Sequence, residues 1–488
     1  MIYALQALCL LISILLVLLM IAVLRTVHAK VFRKRTSSYV PLGDKEREEE
    51  YANKLSQMVK INTVSRSGVD KPEKIYDFHA LLRELFPLVH ENLEKTEING
   101  NLLFKWKGEK SDKPIVLMGH QDVVPAEGKW KHEPFSGDIE DSLVWGRGTA
   151  DTKCTVMAFF QAVEELLKEG YKPKEDVYLS SSCTEEWAGP GCPSLVDHLR
   201  RQGIKPFLVC DEGGGIIRDV LGGVKGDFAV MGIVEKGMCG VRFTAKSTGG
   251  HASAPTKNSP IARLAKFVNA VEKKSPFERK LIPEVRLFFK TVADYSSFPL
   301  ALVFGNLWLF GPLLVRLMPL ISAQGAAMLG TSICFTMQSG SDAFNVIPAE
   351  ASVTANIRFG KNQGKEESLK IITEMAKKYG LETEILLAND AMPSPDMNGE
   401  AYKLVERVIK QTFPTIVSVP YVMTGGTDAR FYQEICDTCV RFAPVLYGPK
   451  QMKGMHGIDE CISVSCLPGA VDFYKNVIKA SGDQNGKE

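Results

Sequence analysis

Residues 179–192, "LSSSCTEEWAGPGC", set the reading of this chain. An apolar and hydroxyl-bearing run, begun at "DVYLSSS", reads as a buried strand and ends on two adjacent carboxylates, Glu185 and Glu186. Like charges side by side at the end of a strand are costly, because repulsion and desolvation both disfavour ionisation. A solvated turn carrying two surface acids is the bland explanation. The sharper one is that one Glu holds a cation while the other moves a proton.

The neighbouring segments repeat the pattern. "KPIVLMGHQDVVP" is a short buried strand running into a loop, and "PFLVCDEGGG" is another strand ending in acids. Between them "TVMAFFQAVEELLKEG" carries apolar residues at helical spacing and stops at Gly170. Strands alternating with helices predict a mostly parallel sheet covered on both faces. Ligands of such sheets bind beyond the carboxyl ends of the strands, and the acids fall at those ends.

The texture changes near Gly237. "GMCGVRFTAKSTGG", "SPIARLAKFVNAVEKK", "TSICFTMQSG", "AEASVTANIRFG", "KEESLKIITEMAKKYG" and "ETEILLAND" read as strand, helix, strand, strand, helix, strand, a ferredoxin-like α/β unit over 237–390. Its flanks, 51–236 and 391–488, then form one larger domain into which it is inserted. An apolar stretch within 277–332, "FPLALVFGNLWLFGPLLVRLMPL", interrupts the small unit. Three readings of it stand: core of an enlarged small domain, an interfacial helix on a bilayer, or the wall of an apolar channel.

With 488 residues the chain is too long for one core. A hydrophobic share of 45% and a charged share of 24% are those of a globular protein. A net charge of +2 without a basic-aromatic patch argues against nucleic acid. Eleven scattered cysteines, an odd number, argue against a disulfide framework, although Cys183 and Cys192 are close enough in sequence to pair. Residues 1–24, "MIYALQALCLLISILLVLLMIAVL", are long and apolar enough to cross a bilayer. The basic cluster Arg25, Lys30, Arg33, Lys34 and Arg35 follows this run rather than preceding it. We read a single-pass membrane anchor in preference to a cleaved signal peptide. The positive-inside rule places the body on the cytoplasmic side, and residues 25–50 read as a tether.

The candidate ligands are His120, Asp151, Glu185, Glu186, Asp211 and His456, each after an apolar run or in a Gly-rich turn. Two imidazoles with several carboxylates suit Zn²⁺, with Mn²⁺ or Co²⁺ as substitutes, better than Mg²⁺ or Ca²⁺. Two cations also explain how so many acids share one site.

The segments "MGHQDVVP", "GRGTADTKCTVMA", "TEEWAGPGC", "GGHASAP", "FNVIPAEASVTANIR", "GGTDAR" and "MHGIDE" stand in an order and spacing that resemble the M20 family of dinuclear zinc peptidases, its carboxypeptidase S and N-fatty-acyl-amino-acid hydrolase branch above all. The resemblance covers about residues 50–480. It implies a zinc-peptidase-like mixed sheet with helices on both faces and an inserted lid and dimerisation domain. It implies two Zn²⁺, with Glu186 and His456 on the first, His120 and Asp211 on the second, and Asp151 between them. Glu185 would be the general base and acid, and Asp122 would fix the His120 tautomer. His251 would stabilise the oxyanion, usually from a partner subunit. Asn345, Arg358, Gly425 and Gly426 would hold a substrate carboxylate. The implied function is hydrolysis of an amide beside a free carboxylate, in a peptide or an N-acyl amino acid, with a homodimer formed through the small domain. The insertion at 277–332 departs from the family pattern where shorter members have their dimer edge. A non-catalytic binding protein retaining the fold is the alternative, and a serine esterase lacks its Gly-x-Ser-x-Gly elbow.

Overall fold

The computed structural model describes residues 2–32, 35–69 and 71–482; Arg33 and Lys34 of the basic cluster, and positions 483–488, lie outside the described residues. The apolar N-terminal run forms one helix, α1 (Ile2–Phe32), long and apolar enough to cross a membrane. The stretch read as a tether is seated on the protein rather than hanging free. Tyr39 donates its amide to Asp227 Oδ2 at 2.8 Å, and the Asp227 amide donates to the Ser37 carbonyl at 2.9 Å. Helix α2 (Lys45–Lys60) starts where Asp44 accepts the amide of Arg47 at 3.2 Å, a side-chain cap for an otherwise unpaired donor.

The large sheet opens with the hairpin β1 (Glu94–Ile98) and β2 (Asn101–Trp106), followed by β3 (Lys110–Met118). Helix α3 (Lys153–Lys168) crosses to β4 (Glu175–Ser181), and then come β5 (Leu208–Arg218) and β6 (Asp227–Glu235). Strand β3 lies parallel between β4 and β5. Every residue of β4 is buried, as expected for a strand covered on both faces.

At Gly237 the chain leaves this sheet as β7 (Gly237–Lys246) and α4 (Pro260–Lys273). The apolar insertion follows as α5 (Pro283–Val292), α6 (Phe298–Phe304) and α7 (Leu307–Ile321). The small unit resumes with β8 (Ser332–Ser339), β9 (Glu350–Phe359), α8 (Lys365–Lys377) and β10 (Glu382–Ala388). Its sheet runs β8-β9-β7-β10, all antiparallel, as the six-segment pattern predicts. Alternating burial along β7 and β9 supplies one apolar face, and Val241, Phe243, Phe267 and Ile372 form a separate core there.

The insertion does not enlarge that small core. Val285, Phe288, Phe289, Phe304, Leu314 and Met318 belong to the core of the large domain. The Phe288 ring lies 6.4 Å from that of Tyr421 in the large sheet. Helices α6 and α7 meet at 106°. After α9 (Glu400–Thr412) come β11 (Val417–Met423), β12 (Cys439–Tyr447) and α10 (Leu467–Ala480). Among the described residues the large sheet has eight strands in the order β1-β2-β4-β3-β5-β12-β6-β11. It is mixed, because β1, β2 and β6 pair antiparallel with neighbours. All eleven cysteines are free, Cys183 and Cys192 included.

Candidate active site

Four loops converge beyond the carboxyl ends of the central strands. His120 follows β3, Glu185 and Glu186 form a single turn after β4, Asp151 stands two residues before α3, and His456 follows β12. His120 Nε2 stands 3.0 Å from Asp151 Oδ1, and His456 Nε2 stands 3.0 Å from Asp151 Oδ2. His456 Nε2 is also 3.1 Å from Glu186 Oε2. Asp151 thus turns one oxygen towards each imidazole. Ligand atoms of His120, Asp151 and Glu186 all fall within 4.8 Å of one another.

The loop carrying Asp151 is built around a residue the sequence did not single out. Glu460 is buried and accepts the amides of Ala150 at 2.8 Å and of Gly148 and Asp151 at 3.1 Å, while Arg147 Nη1 donates to it at 2.6 Å. Gly148 has φ +90°, and a Cβ there would meet Val123 at 2.8 Å, so the turn requires glycine. The signal for Glu460 is only its place four residues after His456.

Asp122 fixes the other side. Its Oδ1 accepts the amide of Glu185 and its Oδ2 that of Glu186, both at 3.2 Å, and Ser65 Oγ donates to Oδ2 at 2.6 Å. His120 Nδ1 lies 2.8 Å from the Asp122 backbone carbonyl and 3.5 Å from its carboxylate. The backbone carbonyl, rather than the side chain expected from the sequence, is therefore the closer partner that sets the tautomer.

Asp211 and Glu212 stand side by side in β5. Asp211 lies beneath the cavity, its oxygens accepting the amides of Glu212 and Ala429 at 2.8 Å each. Glu212, the next residue, lines the cavity with Asp151, Glu185, Glu186 and His456.

The electrostatics are those of a site short of positive charge. Burial alone raises Asp151, yet hydrogen bonds from the two imidazoles hold its carboxyl well below the usual range. Burial alone lowers His120, but Asp122 and Asp151 drive it well above its ordinary value. Hydrogen bonds to Asp151 and Glu186 raise His456 to about 10. Burial pushes Glu185 and Glu212 well up. Carboxylates outnumber imidazoles in this mixed N/O donor set, and divalent cations fit it by neutralising the excess.

The cavity measures about 520 Å³. Gly425 and Gly426 border it, and Phe288, Phe289, Met328, Tyr421 and Met423 add apolar surface to its wall. Helix α5 and the segment after α7 thus supply part of the wall, as the channel reading of the insertion required. Leu307 is buried in the core and Trp308 is exposed; neither lines the cavity. The remaining expected contacts belong to the small domain. His251 is exposed, 2.7 Å from Ser253 Oγ, and Asn345 accepts the Ala252 amide at 3.0 Å on the same rim of the small domain. Arg358 is half-buried and donates to Asn356 at 3.0 Å.

A mixed α/β core with an inserted antiparallel unit and a His–Asp–Glu cluster over its strand ends defines a metallohydrolase of the peptidase type. The chain matches the peptidase family M20/M25/M40 over residues 116–480 and belongs to it. It is 33% identical over 446 residues to "Probable carboxypeptidase S-like 2" of Dictyostelium discoideum, covering 88% of this chain and 85% of that protein. It is 31% identical over 489 residues to the N-fatty-acyl-amino acid synthase/hydrolase PM20D1 of Xenopus tropicalis, covering 96% and 94%. Among solved structures, the M20 family metallo-carboxypeptidase Sso-CP2 of Sulfolobus solfataricus superposes with a TM-score of 0.65 at 19% identity, over 88% of this chain and 98% of that one. The chain is an M20-family enzyme.

Proposed function

We propose that this enzyme hydrolyses the amide bond of N-acyl amino acids, with peptides bearing a free carboxylate as the other substrate class. The observation that carries the reading is one cavity lined both by the carboxylate–imidazole cluster and by Phe288, Phe289, Met328 and Met423. An acyl chain suits the apolar wall, and the amide then lies over the cluster. The curated relatives named for carboxypeptidase and N-fatty-acyl amino acid chemistry support the same pair of classes.

His456 and Glu186 would hold one zinc ion, His120 the second, and Asp151 both. Glu212 is assigned to the second ion in place of Asp211, because Glu212 lines the cavity with Asp151, Glu185 and Glu186. Zinc bound there lowers the pKa of water and polarises a carbonyl. Glu185 is the proton carrier: its carboxylate lies 4.0 Å from His120 Nε2, and burial gives it a raised affinity for a proton. It takes the proton of the attacking water and returns it to the leaving amine nitrogen, so atoms and charge balance across the cleavage. Asp122 keeps Glu185 and Glu186 aimed differently by gripping both amides.

The free carboxylate of the leaving amino acid is assigned to the Gly425–Gly426 loop. His251 is kept as an oxyanion group delivered by the small domain of a second copy, and Asn345 and Arg358 as further groups for the substrate carboxylate. Helix α1 is assigned as a membrane anchor. The test is metal analysis of the purified full chain together with a screen of dipeptides against N-acyl amino acids. Bound zinc with hydrolysis of acyl amino acids supports the reading; a metal-loaded chain cleaving only peptides overturns the substrate assignment.

A further inference from the structure

We propose that α7 lies in the bilayer surface beside α1, so that the catalytic cavity is fed from the membrane. The inference rests on the substrate and anchor readings above and adds the route of entry.

Helix α1 sets the level of the membrane. Residues 2–21 are exposed apart from the half-buried Leu18, and the first buried residue is Ala22. Twenty helical residues at 1.5 Å each reach about 30 Å, the thickness of the hydrocarbon layer. The protein body therefore begins where the lipid headgroups begin. Helix α7 starts at that level: Asn306, just before it, donates to the Ala22 carbonyl at 3.3 Å and to Thr26 Oγ1 at 3.1 Å.

One face of α7 is packed and the other is not. Leu307, Gly311, Leu314 and Met318 are buried. Trp308, Leu313, Leu317, Leu320 and Ile321 are exposed, Leu320 by 84%. Leu313, Leu317, Leu320 and Ile321 share one helical stripe with Arg316 at its edge, while Trp308, nine residues before Leu317, stands on the opposite flank. An apolar stripe edged by an arginine whose stem can reach up to phosphate is the composition of an interfacial helix. The charge around its start agrees. A cavity of about 550 Å³ between α1, α5 and α6 is lined by Arg25, His28, Lys30, Arg35 and Lys290 against a single acid, Asp294. Lys30 and Arg35 are partly engaged there, Lys30 with the Asp294 carbonyl at 3.0 Å and Arg35 with the Asp294 carboxylate at 3.4 Å. An anionic bilayer surface is thereby favoured over a second protein as the cover of this face.

The chain then passes directly from membrane to catalysis. Ser322, Gln324, Gly325 and Met328, immediately after α7, line the catalytic cavity. An acyl chain leaving the lipid layer along α7 meets apolar wall up to the cluster.

The experiment uses the full chain in vesicles of phosphatidylcholine and phosphatidylserine. Leu317→Trp places a tryptophan on the stripe, and lipids brominated on their acyl chains should quench the emission it adds. Added emission that the brominated lipids leave unquenched overturns the placement of α7. In a second arm, Leu313, Leu317 and Leu320 are all changed to Glu. Hydrolysis of a long-chain N-acyl amino acid held in the vesicles should fall about tenfold or more, while a water-soluble short-chain N-acyl amino acid is cleaved as before. A loss on both substrates, or on neither, overturns membrane feeding. If the unaltered enzyme cleaves neither substrate, the substrate reading is what fails, and the quenching still decides whether α7 docks.

Discussion

The carboxylate of Asp122 accepts the backbone amide of Glu185 at 3.2 Å, and its second oxygen does the same for Glu186. One buried acid therefore fixes where the turn after β4 begins, and with it the different directions of two adjacent side chains. Glu186 goes to His456 and Glu185 to the open cavity.

Glu185→Gln keeps that geometry and removes the proton carrier. Turnover should drop by about 10²–10⁴, with both metal equivalents retained by elemental analysis. Near-normal turnover with metals bound would refute the role.

Asp211 and Glu212 make opposite predictions. Glu212→Gln should lower the bound metal at neutral pH towards one equivalent and leave thermal stability of the apoprotein unchanged. Asp211→Asn should hold both metals better than Glu212→Gln does but lose stability, about 1–3 kcal/mol, because an amide group opposes a backbone N–H that the carboxylate accepted. Metal titration and thermal unfolding of the two variants separate them, and the reverse pattern returns Asp211 to the metal.

KM should fall as the N-acyl chain lengthens. Each methylene that leaves water contributes about 0.8 kcal/mol, at most a fourfold step. Met328→Gln should flatten the series, since Met328 lines the apolar wall. A KM independent of chain length, with dipeptides preferred, assigns the enzyme to peptides.

Acid stability has a marker away from the metals. Burial pushes the Glu165 carboxyl up, but hydrogen bonds from Tyr51, Gln161 and Lys475 overcome it and leave it below its ordinary value. A carboxyl depressed by folding stabilises above its unfolded pKa, and the contribution is lost as pH falls through the folded value. The Tm of Glu165→Gln should therefore lie a few degrees below that of the unaltered protein near neutrality and converge on it in acid. A gap that persists unchanged at low pH contradicts the assignment.

The strand ends were legible because short apolar runs closing on His, Asp or Glu leave few alternatives. The same holds for the small unit, whose period-two strands give its sheet directly. The choice between Asp211 and Glu212 was not legible. Adjacent strand residues face opposite sides, and the pairing of β5 with β12 shifts register just beyond Asp211, which no local pattern announces. The insertion was legible only as three alternatives, because apolar composition does not tell which core, cavity or surface each face of a segment meets. Glu460 was missed because its value lies in backbone amides far away in sequence.

The seating of residues 37–39 on Asp227 and Thr415 has a mechanical consequence. A protein joined to its anchor by loose chain tumbles and presents its opening at random. Here the linker is clamped just past Arg35, and α1 is held by Asn306, so with α1 as the proposed anchor the body would have little freedom to tilt against the membrane. Diffusion would then be a search in two dimensions with the entrance kept oriented, and under that proposal lengthening the chain by a few residues before Ser37 should cost turnover of lipid-borne substrate without touching a single atom of the cavity.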